Sequence, residues 1–299
     1  MIDAPASGTL AQQRTCADAL RMAAARLGDA GVPDPWRDAR LLLAAVLDVD
    51  VAALMGEPET ALAPARAERF ADMIAQRCRR WPVSRILGAR EFWSLPLIVT
   101  DATLDPRPDS ETVVDAVLER VAAPASACRI LDLGTGSGCL LVALLSALPG
   151  ASGVGVDRDS AALETARANA ARVGVDDRAR FVVGNWAHGL TGTFDVIVCN
   201  PPYLRTDEID AAEPEVARWE PVGALDGGPD GQDAYRALLP GLHDRLAPDG
   251  VVVLEIGAGQ AEGVGVLIAD HGLTVRDHAA DLTGTTRCVI AAHARTSGG

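Results

Sequence analysis

Phe194-Asp195-Val196-Ile197-Val198-Cys199-Asn200-Pro201-Pro202-Tyr203 is a short apolar run that stops on a side-chain amide, two prolines and a tyrosine. β-Branched residues dominate its first half and turn formers close it, the pattern of a buried strand. Its second half cannot extend a sheet. Pro201 and Pro202 supply no backbone N–H, and Pro201 pushes Asn200 out of the helical region. A stiff corner at a strand's carboxyl end follows, with one amide side chain and backbone carbonyls facing outward. Open α/β sheets bind their ligands along that edge.

Around this run, apolar strands and helical stretches alternate from Cys128 onward. Strands are expected over 129–133, 153–157, 180–183, 194–199 and 251–256, and helices over 138–148, 159–173, 231–246 and 260–271. That alternation predicts an α/β fold with a parallel sheet covered on both faces. Two last strands, 273–278 and 287–292, are joined by a link too short for a crossover and should be antiparallel, which makes seven.

Upstream, residues 10–80 read as helical. Leu20, Ala23, Ala24 and Leu27 form one stripe; Asp34-Pro35 marks a helix start with proline at its first position; Leu41, Leu42, Ala45 and Val46 give that helix an apolar face; and 63–79 forms a further helix. Residues 82–108 are extended and dense in proline, bent at Pro96, which makes a rigid joint. They lead into a helix with Val113, Val114, Val117 and Leu118 on its apolar side. The expected domains are a small helical one over 1–85, a hairpin and proline-rich joint over 86–110, and the α/β domain over 111–299.

At 48% hydrophobic and 23% charged residues, the 299-residue chain has globular composition. Six cysteines without a CxxC pair point to buried thiols rather than a disulfide framework, and five histidines without HxxxH or HxH spacing leave no zinc pattern, so no metal is expected. Residues 1–10 lack the basic and apolar regions of a signal peptide, and no apolar segment approaches the ~20 residues of a membrane span. A cytoplasmic protein is expected. All 27 basic residues are arginine; residues 1–85 carry 11 of them against 11 acids, so the net charge of −14 lies in 86–299. A half this acidic repels a phosphate backbone, and direct nucleic-acid binding is not expected.

Asp132-Leu133-Gly134-Thr135-Gly136-Ser137-Gly138 joins the first strand to its helix, where glycines permit a tight turn and close approach of a ligand. Asp157 ends the second strand, 23 residues past Gly134, where an acid can accept bonds from both ribose hydroxyls. A dinucleotide fold would show GxGxxG with a helix terminus facing a pyrophosphate; here the spacing is GxGxG. A nucleoside without phosphates fits better, and S-adenosylmethionine is one. Beside a methyl sulfonium, the Asn200 side-chain oxygen and the Pro201 carbonyl could hold the two hydrogens of a planar NH₂ group and aim its nitrogen at the methyl, with Tyr203 as the apolar wall. A carboxamide and an aromatic amine such as adenine both satisfy that description.

The chain resembles the HemK/PrmC-type protein glutamine N5-methyltransferases that modify peptide chain release factors. Besides the two motifs above, the likeness rests on Pro82-Val83-Ser84-Arg85-Ile86-Leu87-Gly88 with Glu91-Phe92-Trp93, and on Pro106-Arg107-Pro108-Asp109-Ser110-Glu111. Further matches are Glu213-Pro214-Glu215-Val216 with Glu220-Pro221, Gly227-Gly228-Pro229-Asp230-Gly231, Glu255-Ile256-Gly257 and Asp281-Leu282-Thr283-Gly284. The resemblance implies a class I, Rossmann-like S-adenosylmethionine methyltransferase fold acting on the glutamine of the Gly-Gly-Gln loop in class I release factors. It implies cofactor contacts at Asp132, Gly134, Thr135, Gly136, Gly138, Asp157, Asn185, Trp186 and Asn200. Asn200, Pro201, Pro202, Tyr203, Arg107 and Glu111 are the expected substrate side, with Asn200, Pro201 and Tyr203 carrying the chemistry, and the helical domain would contact the release factor. Alternatives are glutamine methylation of a ribosomal protein and N6-adenine methylation, whose enzymes share Asn-Pro-Pro-Tyr. Asp105, Asn185 and Thr285-Thr286 depart from the family pattern.

Overall fold

The computed structural model describes residues 15–121 and 127–294, in two units, Met1–Gly88 and Ala89–Gly299. The reading of residues 1–10 as free of a signal lies outside the described residues.

The first unit is built from α1 (Cys16–Asp29), α2 (Pro35–Leu47), α3 (Val51–Gly56), α4 (Pro64–Cys78) and α5 (Val83–Leu87). Three helix starts are capped by side chains: Thr15 accepts from the Asp18 N–H, Asp34 from Arg37 and Asp50 from Ala53. The core joins Leu20, Leu27, Leu42, Leu43, Phe70 and Ile74. On α2 the buried stripe is Ala39, Leu42, Leu43 and Val46, so the expected Leu41 and Ala45 sit only half-buried at its margin. The i, i+3, i+4, i+7 spacing of the buried set is the better helical register.

The second unit opens with β1 (Ala89–Phe92) and β2 (Leu95–Ile98), an antiparallel hairpin. Its bend lies at Trp93 and Ser94, both left-handed with φ of 54° and 57°, the geometry of a tight two-residue turn. Pro96 does not bend the chain; it lies inside β2, where one face of a two-stranded ribbon tolerates a missing donor. Then follow α6 (Glu111–Leu118), β3 (Cys128–Leu133), α7 (Cys139–Ala147), β4 (Ala151–Asp157), α8 (Ser160–Val173), β5 (Ala179–Val183), β6 (Phe194–Cys199), α9 (Thr206–Ile209), α10 (Pro214–Ala217), α11 (Asp233–Leu238), β7 (Leu246–Glu255), α12 (Ala261–Asp270), β8 (Leu273–Ala280) and β9 (Thr286–His293).

The helix expected over 231–246 stops at Leu238 and gives way to two short 3₁₀ turns, because Pro240 cannot donate to the preceding turn. β7 accordingly begins at Leu246, earlier than expected, and takes up the extra length in a register slip opposite Phe194 and Val196.

The seven strands run in the order β5-β4-β3-β6-β7-β9-β8. β5 through β7 are parallel, and β9 is antiparallel to both β7 and β8. One face is packed by α6, α7 and α8 through Val113, Val117, Leu141, Leu144 and Ala170, and the other by α11 and α12 through Tyr235, Leu238, Val264 and Ile268. The chain builds outward from β3 to β5, then returns to lay β6 on the other side of β3. That reversal opens a crevice at the carboxyl ends of β3 and β6, where doubly wound sheets bind ligands. No helix among the described residues is long and apolar enough to cross a membrane.

Candidate active site

Register fixes the neighbours. Leu133 pairs with Val156 on one side and Cys199 on the other, so Gly134, Asp157 and Asn200 leave three adjacent strands at one level. Two cavities meet there, of about 380 Å³ and about 240 Å³. Asn200 and Arg107 line both.

The larger cavity is framed by the glycine loop. The N–H groups of Gly134 and Thr135 both donate to the Val156 carbonyl, at 2.8 and 2.9 Å, which clamps the loop onto the end of β4. Gly134 has φ of +70°, a region that suits glycine, and the Trp186 ring lies over it. Asp157 accepts from Gly136 N–H through Oδ2 and from Asp159 N–H through Oδ1, both at 2.9 Å. Its carboxylate is thereby oriented while keeping lone pairs toward the cavity it lines. Asp132, buried below the loop, accepts from the Thr135 hydroxyl at 2.6 Å through Oδ2, while Oδ1 has no hydrogen-bond partner among the described residues. Burial pushes its carboxyl up to about 7, opposed mainly by the Thr135 hydroxyl. Asn185 and Trp186 complete the wall after β5.

The smaller cavity is walled by Pro201 and Tyr203 with Arg107, Asp109, Val216 and Leu225. The Tyr203 hydroxyl donates to Glu255 Oε1 at 3.2 Å, which holds the ring upright. Burial, and then the Glu255 charge, push that phenol well above its usual range, so it stays protonated. Gln260 fixes the backbone behind the ring: its Nε2 donates to the Tyr203 carbonyl at 2.9 Å and its Oε1 accepts from Gly257 N–H at 2.9 Å. The Asn200 Nδ2 donates to Ser110 Oγ at 3.0 Å. Neither Asn200 Oδ1 nor the Pro201 carbonyl accepts a hydrogen bond among the described residues. Two acceptors therefore stand open at the junction.

A strap, residues 220–224, crosses the larger cavity, which Pro221, Gly223 and Ala224 line. It is clasped at both ends. Arg107 Nη2 donates to the buried Glu220 carboxylate at 2.8 Å, Asp105 N–H adds a bond to its other oxygen at 3.2 Å, and Arg158 Nη2 donates to the Gly223 carbonyl at 3.3 Å. Asp105 is thus part of the strap's anchorage, and its own carboxylate pairs with Arg90 at 2.8 Å.

Three expected site residues stand elsewhere than the sequence reading put them. Gly138 does not line the cavity; a Cβ there would meet the Ala166 Cβ at 3.0 Å, so this glycine serves the packing of α7 on α8. Glu111 lines neither cavity; its Oε1 accepts from Trp93 N–H at 2.8 Å and secures the left-handed hairpin turn. Pro202 lines the larger cavity and not the smaller one. Ser110, Arg158, Glu220, Glu255 and Gln260 were not singled out. Ser110, Glu220 and Glu255 lie inside quoted motifs, but a motif does not say what its members touch. Among the described residues no group of three or more His, Cys, Asp or Glu could hold a metal ion.

A nucleoside-sized ligand fits the larger cavity. The acid at the ribose position, the glycine loop and an unpartnered buried carboxylate oxygen together suit a ligand that carries hydroxyls and cationic groups, as S-adenosylmethionine does. The sheet order and this site define a class I, S-adenosylmethionine-dependent methyltransferase. Residues 18–88 match the PrmC N-terminal domain and residues 107–215 the methyltransferase small domain. The chain is 48% identical to the release factor glutamine methyltransferase of Bradyrhizobium diazoefficiens, over 91% of this chain and 93% of that one, and 40% identical to that of Moorella thermoacetica, over 93% and 98%. It belongs to the release factor glutamine methyltransferase family. In fold alone, it also resembles the solved hMettl16 catalytic domain, with a TM-score of 0.53 and 16% identity over 76% of this chain and 83% of that one.

Proposed function

We propose that the protein methylates the side-chain nitrogen (N5) of the glutamine in the Gly-Gly-Gln loop of class I peptide chain release factors, in the cytoplasm where translation ends. The observation that carries this reading is the open pair of acceptors, Asn200 Oδ1 and the Pro201 carbonyl, with Asn200 lining both cavities and Pro201 the smaller one. Bound in the larger cavity, S-adenosylmethionine supplies an electrophilic methyl group. Asp157 would hold its ribose, and Asp132 Oδ1 would face a cationic group.

An amide nitrogen is a poor nucleophile because its lone pair is delocalised. Asn200 and Pro201 would take its two hydrogens and fix the NH₂ plane, so that the lone pair is directed along the line of transfer. Alignment of this kind can supply as much as ~7–11 kcal/mol of a barrier. No base is needed before attack, since nitrogen becomes strongly acidic as the N–C bond forms and releases its proton to water. Tyr203 and Pro201 give the carboxamide an apolar wall in the smaller cavity, and the acidic second unit discourages a polynucleotide in its place. Incubation with methyl-labelled cofactor and a release factor with its loop glutamine intact or replaced tests the reading. Label in the intact factor alone is expected; equal label in both overturns it.

A further inference from the structure

Glu255 ends β7 beside the Asn200 corner, since Leu254 pairs with Cys199, and it is fully buried. A carboxylate there is costly, and a glutamine of the same shape would be cheaper to bury. Its Oε1 receives the Tyr203 hydroxyl, while Oε2 has no hydrogen-bond partner among the described residues. Ser110, itself buried, accepts from Asn200 and stands close enough to Glu255 to favour its charged form, although short of a well-formed bond. We propose that Glu255 is a positioning residue that acts through Ser110 to set which end of the Asn200 amide faces the acceptor cavity.

Hydrogen-bond polarity links the three side chains. A carboxylate only accepts, so it draws the Ser110 hydroxyl proton toward itself and leaves a Ser110 lone pair for the Asn200 NH₂. With its NH₂ anchored, Asn200 presents Oδ1 to the incoming amide. When Glu255 is protonated it can donate to Ser110, whose proton is then free to turn to Asn200 Oδ1. The amide then flips and sets its own NH₂ against the substrate's, donor against donor. The proposal rests on the methyl-transfer reading above and adds the element that orients its acceptor.

Burial drives the Glu255 carboxyl up to about 7, opposed by the hydroxyls of Ser110 and Tyr203 and by Arg287, and raised further by Asp109. The other titratable groups facing it are Tyr235, whose hydroxyl donates to the Glu255 carbonyl at 2.8 Å, and the thiols of Cys139, Cys199 and Cys288. Burial holds all four above their usual ranges, so the carboxyl is the one among them that changes charge near neutral pH.

The experiment measures kcat, KM for a release factor and Kd for S-adenosylmethionine across pH in the full-length protein, in wild type, Ser110→Ala and Glu255→Gln, with Asp132→Asn at saturating cofactor as reference. Wild type should lose kcat as pH falls through the Glu255 titration. Ser110→Ala should lower kcat at least ~10-fold, with KM and cofactor Kd within about 3-fold, because misalignment costs turnover rather than binding. It should also abolish the acid limb, as should Glu255→Gln. Asp132→Asn should retain that limb, which separates Glu255 from the second buried acid. If Glu255→Gln does not fold, the Ser110→Ala profile decides alone. A Ser110→Ala enzyme with wild-type kcat, or with the acid limb intact, overturns the relay. No methylation of a release factor by wild type overturns the underlying reading instead.

Discussion

Asp157→Asn keeps the shape of the side chain and changes what it can accept. Asp157 now receives two backbone N–H groups, Gly136 at one oxygen and Asp159 at the other, both at 2.9 Å. An asparagine amide has one accepting end, so one of these N–H groups must face the new NH₂ and lose its partner, at about 1–3 kcal/mol. The loop that carries Gly134 and Gly136 is held to β4 partly through this carboxylate, so its geometry loosens as well. Toward the cavity, a hydroxyl bonded to a charged acceptor contributes about 1.5–3 kcal/mol, which corresponds to a roughly 10- to 150-fold rise in the Kd for S-adenosylmethionine. Isothermal titration calorimetry of both proteins reads this directly, with a thermal melt to report the loop. A Kd within about 2-fold of wild type would refute both the ribose role and the loop role of Asp157.

Asn200→Ala removes one open acceptor at the junction and should lower turnover at least ~10²-fold while cofactor Kd stays within about 3-fold, checked by single-turnover methyl transfer and calorimetry. Asp132 and Glu255 are both pushed up to about 7 by burial, so between the ordinary carboxylate range and about pH 7 the folded protein binds protons that the unfolded chain has released. Stability should therefore fall as pH rises through that window, by up to ~1 kcal/mol per pH unit for each group, and the gap between denaturant midpoints at about pH 5 and about pH 7 should narrow in Glu255→Gln, with the Asp132 contribution remaining. At the hairpin, Ser94 is exposed with φ of 57°, so Ser94→Gly should relieve ~1–2 kcal/mol of left-handed strain against ~0.5–1 kcal/mol of added unfolded-state entropy. A melting temperature that rises modestly supports this, and a fall contradicts it.

The parts of the site legible in the sequence are those that a single strand end carries. Asp132 to Gly136, Asp157 and Asn200 to Tyr203 each sit at a strand's carboxyl terminus, and a parallel sheet brings such termini to one edge whatever its strand order. Ser110 was hidden because its partner Asn200 lies 90 residues away and only the packing of the joint on β6 unites them. Glu255 was visible as a member of a motif, but its burial and its bond to Tyr203 depend on β7 lying next to β6. The bond from the Trp93 N–H to Glu111 was hidden for the same reason, since it depends on the hairpin turn lying against the start of α6. The strap was illegible because short helices such as α9 and α10 lack a periodic apolar face, and its position comes from the Arg107–Glu220 and Arg158–Gly223 contacts. The strand order had no signal in the alternation of elements, which fixes parallel pairing and leaves the point of reversal open.

The amide that Asn200 and Pro201 are proposed to hold is a glutamine side chain of a release factor. Tandem mass spectrometry of a class I release factor incubated with the protein and S-adenosylmethionine locates the methyl group to an atom. One methyl on the side-chain nitrogen of the Gly-Gly-Gln glutamine, absent when Asn200→Ala replaces wild type, is the predicted result. A methyl on another residue, or an unmodified release factor beside methylated adenine in an added nucleic acid, would contradict it.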